Sequence, residues 1–263
     1  MVQQKGSPSR DRGDDAGRPV GRIMRRPRRL FLGVLLLAVL IVASAVVSHR
    51  FGAASTTSYA TSPASGQGAT PTAVPSGGPG TFVTARATGE KVGQGPNPLR
   101  YMVQIEKGID ISAEQTAKEI AGILADPRGW TANGYSAFQL VSSGPYDLKV
   151  RIATPGTTDT LCWEGIHEDT EGEYDCEVLG GLVVNLKRWI DGSPTFDGPI
   201  HDYRALIINH EMGHFLGHQH QTCPGPGRPA PVMMQQIKGL HGCVANAWPY
   251  DRGGHYLSGP PAA

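Results

Sequence analysis

Apolar and polar positions divide the chain into three regimes. From Leu30 to Val47 every position is apolar except Gly33 and Ser44. A run with no polar face reads as a membrane helix rather than a half-buried surface helix. At 1.5 Å per residue it would cover roughly 27 Å, enough to cross a bilayer core. Residues 49–80 are Ser, Thr, Ala, Gly and Pro with little else, a composition that buries no core and reads as a flexible linker. From Thr81 onward the pattern becomes that of a folded domain.

Within 81–263 the periodicities predict a mixture of strands and helices. Phe82 to Arg86 and Leu99 to Ile105 read as strands, the second alternating and β-rich. Ser112 with Gln115 three residues on forms a capping box, and Ile120, Ile123 and Leu124 continue a helix to about Ala125. Asp126-Pro127 ends it. Trp130 sits in a connection, followed by a short strand candidate at Phe138 to Val141. Asp147 to Ala153 alternates, with Leu148, Val150 and Ile152 on one face, and Gly181 to Leu186 is an apolar strand. Tyr203 to Leu216 reads as a helix with Leu206, Ile207, Met212 and Phe215 facing the core. Beyond Gly217 the chain is rich in Pro and Gly and predicts little regular structure. The expected fold class is α+β, a small mixed sheet with an active-site helix and an irregular C-terminal part. No internal repeat is visible.

Charge then orients the chain. The formal net charge is +1, which gives no case for nucleic-acid binding. The arginines are clustered, however: Arg22, Arg25, Arg26, Arg28 and Arg29 precede the apolar run. That asymmetry places the N-terminus inside and the rest outside the cytoplasm. The expected order is a disordered basic cytoplasmic tail (1–29), a transmembrane signal anchor (30–48), a linker (49–80) and one folded domain (81–263). A cleaved signal peptide is the rival, with Ala43-Ser44-Ala45 as a cleavage site and Arg28-Arg29 as a twin-arginine export signal. The length and apolarity of the run favour a retained anchor.

Four cysteines, Cys162, Cys176, Cys223 and Cys243, suit two disulfides in an exported domain. Three pairings are open. Cys162–Cys176 with Cys223–Cys243 closes the shortest loops and is preferred. A four-cysteine zinc site is disfavoured because no C-x-x-C pair exists.

The chemistry lies in His210-Glu211-Met212-Gly213-His214-Phe215-Leu216-Gly217-His218-Gln219-His220. Residues i and i+4 of a helix share a face, so His210 and His214 present two imidazoles to one metal. Glu211, beside the first, reaches a metal-bound water as general base. Gly217 permits a sharp turn out of the helix, after which His220 arrives as a third ligand. Three protein ligands leave one position of a tetrahedral zinc ion open, the arrangement of a catalytic site. His218 reads as exposed or supporting rather than as a fourth ligand. His49, His167, His201, His241 and His255 read as ordinary surface or satisfied histidines.

The pattern H-E-x-x-H-x-x-G-x-x-H resembles that of the metzincin zinc endopeptidases. Metzincins also carry a methionine turn beneath the metal, and Pro231-Val232-Met233-Met234-Gln235 looks like that turn, with Met233 the better match and Met234 the fallback. The resemblance implies one catalytic Zn²⁺, hydrolysis of peptide bonds with Glu211 as base, and a protein or peptide substrate, possibly of the cell envelope. It also implies an edge strand for extended substrate, carried over to Gly181–Leu186. A tyrosine that many metzincins have two residues after the turn methionine is replaced here by Gln235, or by Gln236 on the fallback alignment. Tyr250 and Tyr256 are the candidate substitutes. The whole chain further resembles a family of membrane-anchored actinobacterial proteins to which no activity is assigned. Two other functions fit the residues: a non-catalytic zinc-binding domain at the cell surface, and a zinc hydrolase of a non-peptide amide in the cell envelope. Oligomeric state leaves no trace in the sequence.

Overall fold

A computed structural model describes residues 73–262. The expected tail and anchor, and the first part of the linker, lie outside the described residues. Among the described residues no helix is long and apolar enough to cross a membrane.

The fold is α+β, a mixed sheet with four α-helices. In chain order the elements are β1 (Phe82–Thr84), β2 (Val92–Gly93), β3 (Leu99–Glu106), α1 (Ala113–Ala125), β4 (Ala137–Leu140), β5 (Leu148–Ala153), α2 (Pro155–Ile166), β6 (Cys176–Val178), β7 (Gly181–Asn185), α3 (Leu186–Asp191) and α4 (Ile200–Phe215). The sheet runs β2-β4-β3-β5-β7-β6, with β1 added beside the end of β3. Strands β4, β3, β5 and β7 are mutually parallel, whereas β1, β2 and β6 run antiparallel to their neighbours.

Burial explains the sequence patterns. Leu148, Val150 and Ile152 of β5 enter one core with Ile120, Ile123 and Leu124 of α1 and Leu206, Ile207 and Met212 of α4. Strand β7 is buried throughout, and apolar up to Asn185, because both of its faces are covered. Leu182 and Val184 join that core, while Val183 packs with Cys162, Cys176 and Val178 beneath α2. The Ser112 hydroxyl accepts from the Gln115 N–H at 3.3 Å and starts α1 as the capping box requires.

The structure corrects the sequence reading at four places. Gly181–Leu186 is not an edge: β7 lies between β5 and β6, and the edge is β6. Strand β6 has three residues, too few for alternation to show, and turns into β7 through Leu179-Gly180, with Gly180 at φ 82°. Leu186 begins α3 instead of ending the strand. Helix α2 went unforeseen because Pro155-Gly156-Thr157-Thr158 opens it and no apolar stripe runs along it. The folded part also begins before Thr81. Val74 packs on the core, and the Ser76 carbonyl accepts from the Gly156 N–H at 2.8 Å. Glu106, buried in β3, accepts from the Gly80 N–H (2.8 Å), the Thr154 N–H (2.8 Å) and hydroxyl (2.9 Å), and the Thr157 hydroxyl (2.6 Å). Four donors satisfy this buried carboxylate and hold its pKa below the usual range against the opposing effect of burial. They also hold the end of the expected linker in the fold.

Candidate metal centre

Helix α4 carries His210, Glu211 and His214 on adjoining faces and ends at Phe215. Gly217, at φ 90°, takes the left-handed conformation that an L side chain resists. The His218 N–H returns to the Gly213 carbonyl at 2.9 Å and the Gly217 N–H to the His214 carbonyl at 2.8 Å, closing the helix end. The chain then reverses and brings back His220. The Nε2 atoms stand 3.2 Å apart for His210 and His214, 3.0 Å for His214 and His220, and 3.3 Å for His210 and His220.

Those separations match a metal's donor set. Two nitrogens each about 2.0–2.1 Å from a tetrahedral zinc ion stand about 3.3 Å apart. The opposite ring nitrogens fix the tautomers. His210 Nδ1 lies 2.7 Å from the Val232 carbonyl and His214 Nδ1 lies 2.9 Å from the His218 carbonyl, so each must be the N–H. The unprotonated Nε2 atoms therefore point inward. Burial pushes the His210 imidazole down to about 3 and that of His220 to about 4, with the neighbouring His214 adding to both, and burial also lowers His214. Three neutral imidazoles converging on one point suit Zn²⁺ or another imidazole-binding transition metal. Among the described residues these three form the cluster able to hold a metal.

The methionine loop packs against α4 at Gly213 and His210. Met233 is fully buried, and its sulfur occupies the space a side chain at Gly213 would fill: a Cβ there would lie 2.3 Å from Met233 Sδ and 2.8 Å from Trp130 Cζ2. Met234 instead lines the cleft and packs with Ala230 and Cys243, whereas Met233 packs against α4 at Gly213. Both expected disulfides are present, Cys162–Cys176 and Cys223–Cys243, and no cysteine is free. The second brackets the methionine loop. The last described residues also support the third histidine. The Ala262 N–H donates to the His220 carbonyl at 3.0 Å, and the Thr222 N–H to the Pro260 carbonyl at 2.7 Å. Trp130, buried, donates its indole N–H to the Asn209 carbonyl at 2.8 Å and stacks on His218 at 4.3 Å. His218 thus packs on Trp130 and is not part of the histidine cluster.

A cleft of about 340 Å³ opens beside the histidines. Glu211 lines it, is 6% exposed and has no hydrogen-bond partner among the described residues. Burial first, and then Asp175, Glu168 and Glu177, raise its carboxyl well above the ordinary value. A cation on the histidines would act in the opposite direction. Asp175, Glu168 and Glu177 line the same cleft, and burial carries Asp175 up to about 7. None of these three was singled out from the sequence. The density of acids between Glu164 and Glu177 was the available signal.

The tyrosine substitutes do not hold. Tyr250 and Tyr256 face each other at 5.3 Å, with Tyr256 against His218 and Trp130, and neither lines the cleft. Gln235 and Gln236 do line it, as do Tyr174 and Tyr203. His167, His201, His241 and His255 stay outside the cluster. His201 sits 3.3 Å from Glu119 and His255 3.1 Å from Asp251. His49 lies outside the described residues.

Residues 68–248 match a family model described as "Protein of unknown function (DUF3152)", and the chain belongs to that family. No curated protein and no solved structure matches the chain.

Proposed function

We propose that the protein is a zinc-dependent peptidase of the metzincin type, displayed outside the cytoplasm on an N-terminal membrane anchor. One observation carries this reading. Three inward-facing imidazole nitrogens, 3.0–3.3 Å apart, share a cleft with an unpartnered buried glutamate. A site for structural metal needs no such carboxylate. The two disulfides support an extracytoplasmic domain.

A zinc ion on His210, His214 and His220 would supply Lewis acidity, lowering the pKa of a water and polarising a scissile carbonyl. Glu211 takes the proton from the attacking water and returns it to the leaving amine. The Val232 and His218 carbonyls keep two imidazoles in the ligating tautomer. Met233 beneath and the Ala262–His220 hydrogen bond hold the irregular segment against the helix. Edge strand β6, with Cys176 and Glu177 on the cleft, is the strand along which an extended peptide would lie.

The test is zinc content and cleavage of an unfolded protein by the full-length chain. One zinc per chain is expected, with cleavage. Glu211→Gln keeps the zinc and loses turnover by about 10²–10⁴-fold. His214→Ala loses zinc. Zinc without cleavage of any protein or cell-wall peptide makes the domain a binding module, and no zinc removes the basis of the proposal.

A further inference from the structure

We propose that this cleft selects a cationic side chain, lysine or arginine, beside the bond that is cut, and that Glu168 and Glu177 recognise it. The inference rests on the peptidase reading and names its substrate class. It starts from an imbalance of charge. Glu168, Asp175, Glu177 and Glu211 line the cleft, and no lysine or arginine does. Asp175 accepts from the Asn185 N–H and Glu211 is the proposed base, which leaves Glu168 and Glu177 for a ligand.

The nearby cations are paired with groups other than Glu168 and Glu177, Arg188 and Lys238 standing nearer Asp175 and His220. Lys187 and Arg188 both pair with Glu173, and Arg188 also donates to the Gly192 carbonyl at 2.7 Å. Lys238 lies over the Tyr174 ring at 5.0 Å. Glu168 and Glu177 have neither an ion pair nor a side-chain hydrogen bond among the described residues. A second observation points to a ligand: Glu211, more than nine-tenths buried, opens into the same space without a partner. Met234, Gln235, Gln236 and Ile237 line the same cleft and carry no charge. A side chain with an apolar stem and a cationic head suits a lining that mixes neutral and acidic groups.

The acidic wall is built to stay in place. Residues 167–175 are neither helix nor strand, yet they are tied at several points. Asp159 accepts from the Thr170 N–H at 2.8 Å and hydroxyl at 3.0 Å. Asn185 donates its amide to the Gly172 carbonyl at 2.9 Å, and its N–H to Asp175 at 2.7 Å. The Cys162–Cys176 disulfide closes the wall at its far end. His167 and Glu171 hold φ 57° and 54°, a left-handed conformation that only a well-determined loop keeps at non-glycine residues. A backbone fixed before the substrate arrives limits where Glu168 and Glu177 can stand, so less ordering is lost on binding.

The experiment uses the zinc-loaded full-length chain in two readouts. A mixed library of unstructured peptides is digested and the residues flanking each cut are read by mass spectrometry. In parallel, binding is titrated with a neutral decapeptide carrying one lysine and with its norleucine analogue. The expectation is at least about tenfold enrichment of Lys or Arg at one flanking position, and a similar preference for the lysine peptide. In the Glu168→Gln/Glu177→Gln double variant both ratios fall to below about threefold. Cleavage without enrichment, ratios unchanged in the double variant, or no binding of either peptide each overturn the inference. A tenfold lysine preference in binding with no cleavage of any peptide leaves the cationic subsite standing and removes the peptidase reading instead.

Discussion

The sheet half of the domain, β1 to α4, and the segment after Phe215 are held together by different forces. The first buries apolar residues against a ladder of seven strands. The second has, among the described residues, one short 3₁₀ turn at Gln236–Lys238 and three isolated bridges. Side-chain amides and a disulfide do there what strands do elsewhere. Gln236 donates to the Asn246 carbonyl at 2.7 Å and accepts from the Asn246 N–H at 3.1 Å, and Asn246 donates to the Ala230 and Trp248 carbonyls at 2.8 Å each. The histidine cluster draws on both halves. Two histidines come from a rigid helix, and the third comes from the segment that carries no ladder. Precision at His220 therefore depends on local hydrogen bonds, the Cys223–Cys243 bridge and Met233.

The largest expected effect lies in the sheet half. Phe138→Ala empties a fully buried site in β4 and should cost about 3–5 kcal/mol in chemical unfolding. The metal site should stay intact until the whole domain unfolds in one transition. A loss under about 1 kcal/mol would mean that the sheet is not the stabilising half.

Cys223→Ser/Cys243→Ser should cost somewhat less, about 3 kcal/mol, for a bridge whose cysteines are 20 residues apart. Its signature should be local. Hydrogen exchange should rise across 221–246 before it rises in β5 or β7, and zinc affinity should fall. The matched pair Cys162→Ser/Cys176→Ser, with a separation of 14, should free α2 and β6 and leave zinc affinity near that of the wild type. Equal effects of the two pairs on zinc would erase the distinction between the halves.

Legibility follows the same division. The alternation of Leu148, Val150 and Ile152 and the cap at Ser112 were readable because each obeys a local period or spacing. The histidine triad was readable for the same reason, since i, i+4 and a glycine turn fix its geometry within eleven residues. What stayed hidden depends on long-range pairing. β6 becomes an edge only through its register with β7, and α2 is secured by a cysteine on β6. The acidic wall is assembled by a loop whose ties to Asp159 and Asn185 span ten or more residues. No periodicity reports that. The amides of Gln236 and Asn246 gave no signal either, because a glutamine in a Pro-rich loop looks like surface.

Gln236→Ala tests that amide network directly. Gln236 is 1% exposed and its removal leaves the Asn246 N–H and two carbonyls short of partners. About 2 kcal/mol is expected, read by thermal unfolding. An equivalent truncation at an exposed glutamine would be nearly silent.

The smallest effect has the clearest sign. Glycine to alanine inside a helix normally stabilises by about 1 kcal/mol, through propensity and a less flexible unfolded chain. Gly122 in α1 is exposed, and an added Cβ meets nothing within 4 Å, so Gly122→Ala should show that gain. Gly213 in α4 is the opposite case. Its Cβ would press on Met233 Sδ and Trp130 Cζ2, and overpacking of that kind costs about 1–3 kcal/mol. Methionine is flexible and yields part of the way, so Gly213→Ala should end about 1 kcal/mol less stable than the wild type. The displaced Met233 moves with the loop whose Val232 carbonyl faces His210 Nδ1, so zinc affinity should drop as well. Unfolding and zinc titration of the two variants side by side settle the point. Opposite signs in stability, with zinc affinity changed only in Gly213→Ala, place the helix–loop contact under the metal centre. Gains in both variants would mean that the segment after Phe215 adapts freely and does not hold His220 in place.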